Sequence, residues 1–446
     1  MLNIIIGIIG LSLVVFFHES GHFMAAKLCG VKVLAFSIGW GKKIFSFKKG
    51  DTEYCISLLP MGGYCKMKGE EILDDDTVYA DNTGSLSAAP AWKKAIIYFA
   101  GPFMNLVFAV VCFSIVWMGG VTTTSPPNRI VLASEYAQEA GTFAADKAGL
   151  KTGDYVISID GKATENFQEM REAIAVNAQK PLELTVDRNG EVLKLYITPK
   201  LDKSTGAGQV GIYPWIDPVI GTVREGSSAF IAGLTEGDII KGVNGKEVNH
   251  YMDLVKELWT RPSKLELTIL RGGTEQKLVQ ILDYSDDNLV DPGFSFQMNT
   301  YHSPSLNMFQ AVHKGITESF KTLALTVRSL KLLFAGVNLN QAVSGPIRIT
   351  YMLGEVTKQG FAEGISEGLA TFLNFVALIN IALFFMNLLP IPALDGGQIF
   401  FCFLEMIRGR KFQPKVAVRY QVIGFAFLIT LMIFTLFNDV IFLIKK

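Results

Sequence analysis

Two histidines and a glutamate stand together in the segment HESGH, directly after a long run of apolar residues. His18 and His22 are four residues apart, so on a helix their imidazoles share one face and can converge on a single cation. Glu19 projects beside them. This H-E-x-x-H spacing is typical of zinc sites, although histidines that merely cap the end of an apolar helix would give the same letters.

The position of the motif in the apolar run favours a functional site. At about 1.5 Å per residue, a helix from Leu2 to His18 extends roughly 24 Å into a hydrocarbon core about 30 Å thick. Inserting an ionisable side chain at that depth costs at least about 2.5 kcal/mol of free energy, so such residues usually have interaction partners and a function. We therefore expect the motif below the membrane surface, nearer the cytoplasmic face.

A zinc ion needs a third protein ligand and an open position for water. The segment MNLLPIPALDGGQIF offers Asp395, shortly after Pro390 and Pro392 interrupt an apolar run. Prolines free backbone groups, which at membrane depth is tolerated only where protein or a wet cavity satisfies them. The alternative is that Asp395 caps a helix beginning near Gly396.

Four apolar stretches are long enough to cross a bilayer, which takes about 20 helical residues. The first lacks a basic segment before it and a small-residue cleavage site after it, so we expect it to be retained rather than removed as a signal peptide. The stretches are Leu2 to about Leu28, Ala95–Gly120, Phe372 to about Pro390, and Val422–Ile444.

Lysine and arginine cluster in the connections between the first and second spans and between the third and fourth. The positive-inside tendency places both connections in the cytoplasm, and the long stretch from about Val121 to Leu369 outside. The first and third spans then run in the same direction, which brings His18, His22 and Asp395 to a similar depth. The clustered residues are Lys27, Lys32, Lys42, Lys43, Lys48, Lys49, Lys93, Lys94, Arg408, Arg410, Lys411, Lys415 and Arg419.

The outside stretch contains an internal repeat. The segment AGLKTGDYVISIDGK, which begins at Ala148, aligns with AGLTEGDIIKGVNGK, which begins at Ala232. Each copy continues with a helix-like stretch and an alternating strand. The copies resemble circularly permuted PDZ domains, which bind extended peptides by adding a strand to a sheet edge. Two spacer domains without a ligand are the alternative.

Two further segments carry amphipathic patterns. Asp51–Gly69 predicts a β-hairpin with a Pro-Met-Gly-Gly turn beside the membrane, either buried against protein or simply cytoplasmic. Apolar residues from Phe309 to Phe334 recur at spacings of three and four among lysines and arginines, which predicts an amphipathic helix lying on a lipid or protein surface.

The composition excludes some classes of protein. Half of the 446 residues are hydrophobic, 18% are charged, and the net charge is zero, so we expect a membrane protein without a nucleic-acid partner. The expected outside stretch holds no cysteine, so it has no disulfide framework. Cys55 and Cys65 are expected to be small apolar residues. The remaining histidines are expected to be ordinary surface residues: His250, His302 and His313.

The motifs together resemble one known family. HESGH, the MGGY turn at 61–64, AGPFMNL at 100–106, the repeat, SGPIRI at 344–349 and NLLPIPALDGG at 387–397 are similar, in this order, to the site-2 protease family of intramembrane zinc metalloproteases. The resemblance covers nearly the whole chain and is closest to the bacterial branch that regulates sigma-E.

The resemblance implies roles for individual residues. It implies that His18, His22 and Asp395 bind Zn²⁺ and that Glu19 is the general base and acid. It implies that the substrate strand is held by Asn387 and by the turn Met61, Gly62, Gly63 and Tyr64. The implied substrate is a single-span membrane protein of the anti-sigma-factor type, cleaved during an envelope stress response.

The expected fold is an α-helical membrane protein of the bacterial inner membrane, with four transmembrane spans in the lipid bilayer, two periplasmic PDZ-like (mixed α/β) domains and a membrane-associated β-hairpin. A membrane-anchored PDZ scaffold and a metal transporter are the alternatives. The expected segments are the first span 1–28, a cytoplasmic connection 29–94, the second span 95–120, PDZ-like domains 121–218 and 219–300, an amphipathic region 301–371, the third span 372–400, a second cytoplasmic connection 401–421 and the fourth span 422–446.

Overall fold

A computed structural model describes residues 2–70, 83–137, 143–203, 206–282, 291–333 and 345–444. The chain divides into two compact units. One combines Met1–Val121 with Ser303–Lys446, and the other is Thr122–His302.

Helices account for most of the first unit, whereas the second unit is mainly β-structure with short helices. In chain order the helices are α1 (Leu2–Leu28), α2 (Ala91–Gly119), α3 (Ala144–Lys147), α4 (Phe167–Ala175), α5 (Ser228–Ile231), α6 (Tyr251–Trp259), α7 (Met308–Leu333), α8 (Pro346–Glu363), α9 (Ile365–Asn387), α10 (Asp395–Arg408) and α11 (Pro414–Ile444).

The strands belong to one sheet in the first unit and to several small sheets in the second. They are β1 (Val33–Lys49), β2 (Thr52–Met67), β3 (Val121–Ser125), β4 (Ile130–Leu132), β5 (Tyr155–Ile159), β6 (Lys162–Ala163), β7 (Leu182–Arg188), β8 (Glu191–Ile197), β9 (Lys200–Leu201), β10 (Gly208–Gln209), β11 (Ile212–Pro214), β12 (Ile220–Val223), β13 (Ile239–Val243), β14 (Lys246–Glu247), β15 (Lys264–Arg271), β16 (Thr274–Ile281), β17 (Phe294–Phe296) and β18 (Asn299–Ser303).

Four helical segments are long and apolar enough to cross a membrane: Ile4–Leu28, Ala91–Gly119, Ile365–Asn387 and Val418–Val440. They coincide with the four predicted spans. The third begins seven residues earlier than the predicted Phe372, because the helix already starts at Ile365 with residues that are less uniformly apolar.

Two apolar clusters hold the first unit together and leave a polar layer between them. One joins α1, α2 and α9 through side chains such as Val14, Ala109 and Ile381. The other joins the end of α1 to the β-sheet and the start of α2 through Ala26, Phe36 and Ile97. His18 and His22 lie on α1 between the clusters, so both histidines are positioned by close-packed surroundings on either side.

The sheet beside α1 differs from the predicted hairpin. We expected 51–59 to pair with 64–67, but β1 lies between these two parts of β2. Residues 33–38 pair with 63–67 on one side, residues 35–38 pair with 53–56 on the other, and 43–49 pair with 52–57. The alternating stretch VLAFSIGW forms the inserted strand, and its partners lie on both sides of it, which a prediction from the Asp51–Gly69 pattern alone does not include. Residues 63–67 and 43–49 therefore form the two edges.

The predicted amphipathic helix is α7, up to Leu333; Phe334 lies outside the described residues. Its buried face consists of small residues: Ala311 and Ser319 are fully buried, and Gly315 lies against Ser114 of α2. The first part of the apolar stripe is exposed, with Phe309, Ile316 and Phe320 more than 40% accessible, whereas Leu323 packs against the cluster that joins α1, α2 and α9. Short side chains thus let α7 approach α2, while the large side chains in the first half of the helix face outward.

The second unit contains the two copies of the repeat. Each copy has a four-stranded sheet, in the orders β6-β5-β7-β8 and β14-β13-β15-β16. The repeated aspartate of each copy, Asp154 or Asp238, is buried and forms a bidentate ion pair with Arg188 or Arg271. A small cluster around Val131, Tyr136 and Met252 joins the copies.

Candidate metal centre

Three side chains from two distant segments converge on one point. His18 Nε2 lies 3.2 Å from His22 Nε2 and 3.3 Å from Asp395 Oδ2, and His22 Nε2 lies 3.5 Å from Asp395 Oδ1. One ligand atom from each residue falls within a group whose members are all within 4.8 Å of one another. The histidines share one face of α1, as their spacing predicted.

The separations fit a single tetrahedral ion. Zinc bonds of 2.0–2.2 Å to imidazole nitrogen and carboxylate oxygen place neighbouring ligand atoms about 3.3–3.5 Å apart. The 3.2 Å between the two histidine Nε2 atoms, and the 3.3 and 3.5 Å from these atoms to Asp395 Oδ2 and Oδ1 respectively, lie within about 0.2 Å of that range, and one ligand atom per residue can be chosen with all three within 4.8 Å of one another. Charge also fits, because two neutral imidazoles with Asp395 and Glu19 carry two negative charges that a divalent cation would balance at low dielectric.

Helix α2 holds the far side of both imidazoles. His22 Nδ1 lies 2.8 Å from the Ile97 carbonyl oxygen, and His18 Nδ1 lies 3.1 Å from the Asn105 amide. Such partners fix the ring orientation of metal-ligating histidines. Both Ile97 and Asn105 are fully buried, so these contacts are shielded from water.

Two residues of α2 make room for this arrangement. Pro102 lies inside the helix and cannot donate a backbone hydrogen bond, which disrupts the intrahelical ladder next to the Ile97 carbonyl. Gly101 lies against the His22 ring, and a Cβ at this position would overlap Nε2. The segment AGPFMNL is therefore adapted to receive the two histidines.

Asp395 reaches the centre because the chain folds back sharply before α10. It is the first residue of that helix rather than its cap, since Leu394 is the capping residue. A Cβ on Gly396 would overlap the Leu388 carbonyl, and one on Gly397 would overlap the Ile391 carbonyl. The two glycines after Asp395 thus allow the loop to pack directly on the helix start.

Glu19 lies beside the sheet edge formed by residues 63–67. Its carboxylate interacts with the Cys65 backbone amide. A Cβ on Gly63 would lie 3.5 Å from Glu19 Cγ. This places the carboxylate next to both His18 on α1 and the backbone of β2.

The other predicted site residues are spread around this edge. The backbone of Met61 belongs to β2, but its side chain is not among those that the structure describes. Gly62 has φ +122° and lies against the Trp40 ring, and the Tyr64 ring centroid is 5.9 Å from that of Trp40. Asn387 ends α9. In the described part of the chain, no hydrogen bond joins Asn387 to the histidines or Asp395.

Sequence reasoning missed Asn105 and the Ile97 carbonyl as partners of the histidines. The segment AGPFMNL contains Asn105, yet nothing in one sequence says which histidine faces which residue of α2. The expectation for His250 was wrong: it is 3% exposed, because Tyr136 and Trp215 pack around its ring. Cys55 and Cys65 are buried and free, as expected.

Comparison with known proteins gives a family. The model of "Peptidase family M50" matches residues 6–431. A Treponema pallidum protein named "Putative zinc metalloprotease" is 38% identical, covering 99% of this chain and all of that protein. The Escherichia coli "Regulator of sigma-E protease RseP" is 30% identical over 97% of both chains, and the Haemophilus influenzae "Regulator of sigma E protease" is 28% identical over 97% of both.

The matched region contains HESGH, the sheet, the repeat and Asp395, together with most of the first apolar helix, the second and third, and the fourth up to residue 431. The family, the names of these relatives and the apolar helices agree on one class of protein. The chain belongs to peptidase family M50 and is a membrane-embedded zinc metalloprotease.

Proposed function

We propose that the protein hydrolyses peptide bonds within transmembrane segments of single-span membrane proteins, using His18, His22 and Asp395 as zinc ligands and Glu19 as general base. The observation that carries this proposal is the convergence of three ligand atoms beside Glu19 on a helix that is apolar enough to span a bilayer. Hydrolysis at that depth needs water near the ion, which the polar side chains at the centre can hold.

The chemistry divides between the ion and the protein. His18, His22 and Asp395 would hold the zinc ion, which would supply acidification of a bound water and polarisation of the scissile carbonyl. Glu19 takes the proton of the attacking water and returns it to the leaving nitrogen. The Cys65 amide interacts with the Glu19 carboxylate from the side of the β-sheet. His18 and His22 remain neutral ligands whose rings are held by α2.

A helical substrate has to unwind before cleavage because its carbonyls are occupied by intrahelical hydrogen bonds. The edge of β2 at 63–67 offers backbone groups that can pair with the unwound segment. Glu19 lies at this edge, so a strand added there would pass directly by the general base. We assign Gly62, Gly63, Tyr64 and the backbone of Met61 to this strand-binding edge, and Asn387 to holding the opposite side of the substrate.

The substrate class and the cell compartment extend this proposal. Lysines and arginines in the two cytoplasmic connections support a periplasmic location for the repeat unit, in which 121–218 and 219–300 would be PDZ-like domains that bind extended peptide. Two relatives are named regulators of sigma-E. An anti-sigma factor with one transmembrane segment, cleaved during an envelope stress response, is the substrate we propose.

The test is cleavage by the purified full-length protein in lipid nanodiscs. Candidate single-span proteins, including anti-sigma factors, are incubated with wild type, with wild type plus a chelator, and with Glu19→Gln. We expect cleavage inside the transmembrane segment by wild type alone, restored when zinc is returned after chelation. Mass spectrometry of the products locates the cut.

Two other functions predict different results. A scaffold that only binds peptide would retain substrate binding and show no cleavage under any condition. A metal transporter would move zinc across proteoliposomes and would tolerate Glu19→Gln, because transport needs ligands but no general base. Unchanged behaviour of Glu19→Gln would therefore refute the protease mechanism.

A further inference from the structure

The side chain of Asn105 on α2 lies within hydrogen-bonding distance of a proposed zinc ligand. Its amide nitrogen lies 3.1 Å from His18 Nδ1. The side chain is fully buried, and its Oδ1 atom has no hydrogen-bond partner among the described residues. A buried carbonyl oxygen without a partner costs about 1–3 kcal/mol, so an arrangement that satisfies it is favoured.

The chemistry of a histidine ligand decides which amide atom faces the ring. His18 points Nε2 at the common centre, and Nε2 can bind a cation only through its lone pair. A neutral imidazole then carries its proton on Nδ1, which must donate. For His22 the Ile97 carbonyl provides the acceptor. For His18 the acceptor has to be an oxygen, because an amide nitrogen only donates.

Rotating the Asn105 carboxamide by 180° exchanges Oδ1 and Nδ2 within the same volume, and the two atoms are told apart only by their hydrogen bonds. In the rotated form Oδ1 accepts from Nδ1–H of His18. We propose that Asn105 is a positioning residue of the metal centre, whose amide oxygen fixes the tautomer and ring orientation of His18 for binding zinc through Nε2.

This inference rests on the proposed metal centre and deepens it. Two positions of α2 then orient the two histidines: the Ile97 carbonyl fixes the ring orientation of His22, and the Asn105 side chain fixes that of His18. The two contacts lie on one helix that runs antiparallel to α1. A shift of α2 would therefore alter both histidines together, whereas a change at Asn105 alters only His18.

The experiment measures zinc affinity of the full-length protein in nanodiscs by competition with a chromophoric chelator. Asn105→Leu keeps the volume but removes the acceptor, and Asn105→Asp keeps an acceptor. Partners of this kind are typically worth about 10–100-fold in metal affinity. We expect Asn105→Leu to lose about that factor and Asn105→Asp to bind zinc at least as tightly as wild type.

Asn380→Leu is the matched control. Asn380 on α9 is also fully buried and also has an unpartnered Oδ1, but its amide donates to Val376 of its own helix. We expect this variant to bind zinc within about twofold of wild type, a bound well inside the effect expected of a metal-site partner. Equal losses in Asn105→Leu and Asn380→Leu would show a general packing effect and overturn the inference.

A spectroscopic readout separates positioning from folding. In the cobalt-substituted wild type, two solvent-exchangeable imidazole N–H resonances are expected at paramagnetically shifted positions, one for each histidine. Asn105→Leu should retain the His22 signal and lose or broaden that of His18, and Asn105→Asp should retain both. Two unchanged signals in Asn105→Leu would overturn the inference.

Two outcomes distinguish an error in the proposed ligand set from an error in the proposed role of Asn105. If His18→Ala binds zinc like wild type, the proposed ligand set is wrong and the role of Asn105 falls with it. If His18→Ala loses zinc while Asn105→Leu does not, the centre stands and only the role of Asn105 is overturned. Should Asn105→Leu not fold, Asn105→Asp decides alone, because loss of zinc despite the retained acceptor contradicts the inference.

Discussion

His18 Nε2 and Asp395 Oδ2 lie 3.3 Å apart, although the two residues stand near opposite ends of the chain. The contact is possible because α1 and the loop before α10 bring their polar side chains to the same layer of the first unit. The buried His22 and the partly buried His18 beside a carboxylate would be costly in an apolar bundle if they had no function. A cation bound by His18, His22 and Asp395 together would explain why these polar side chains lie within the apolar bundle.

Removing the ion should act on the folded protein in a reversible way. We expect chelation to abolish cleavage and to leave the helices formed, because the clusters around Val14 and Phe36 do not depend on the centre. Circular dichroism and activity before and after zinc is returned check this. Loss of helical signal on chelation would instead indicate a structural ion.

A methyl group at Gly101 should disturb the centre. Its Cβ would overlap His22 Nε2, so the imidazole or α2 must shift. We expect Gly101→Ala to weaken zinc binding at least about tenfold, the loss typical of a displaced ligand partner. Gly119→Ala on the same helix is the control, because a Cβ there meets no atom within 4 Å. Wild-type zinc affinity in Gly101→Ala would contradict the described packing.

Proline at the sheet edge tests substrate pairing. Cys65→Pro removes a backbone donor from the 63–67 edge, and because this amide also interacts with Glu19, the variant tests the edge as a support for both the substrate strand and the general base. We expect about tenfold slower cleavage with zinc retained, since one or two ladder bonds of about 0.5–1.5 kcal/mol each are lost. Ser46→Pro in the opposite edge, 43–49, is the control and should cleave within about twofold of wild type. Equal effects of the two prolines would argue against strand addition at this edge.

The repeat unit should lose stability in mild acid. Burial lowers the pKa of His250 below its ordinary value, and the positive charge of Arg129 lowers it further. The negative charges of Asp253 and Glu135 raise this pKa but do not outweigh the effect of burial. The unfolded chain therefore binds a proton near pH 6.5 that the folded unit does not, and stability falls as the pH drops below that value. The slope can reach about 1.4 kcal/mol per pH unit.

Hydrogen exchange in α6, corrected for intrinsic rates between pH 7 and 5, measures this dependence. His250→Gln should flatten it. His302→Gln, at an exposed position of the same unit, should not. A pH dependence that survives in His250→Gln would assign the effect to another group.

The sequence predicts the parts of this structure that depend on local pattern. The four apolar helices, the face shared by His18 and His22, and the helical period of α7 all follow from residue spacing. What it misses depends on distant contacts. The first half of β1 lies between two parts of β2, Asn105 faces His18, and His250 is buried by Tyr136. Each of these three contacts depends on which surfaces of the folded protein meet. The spacing of residues along the sequence does not determine that.

The zinc content of two purified variants tests the central claim most directly. Asp395→Ala removes a ligand that stands far along the chain from the histidines, and Glu19→Gln removes only the base. We predict one zinc per chain in Glu19→Gln with no cleavage, and strongly reduced zinc in Asp395→Ala. A full complement of zinc in Asp395→Ala, or cleavage by Glu19→Gln at the wild-type rate, would contradict the account.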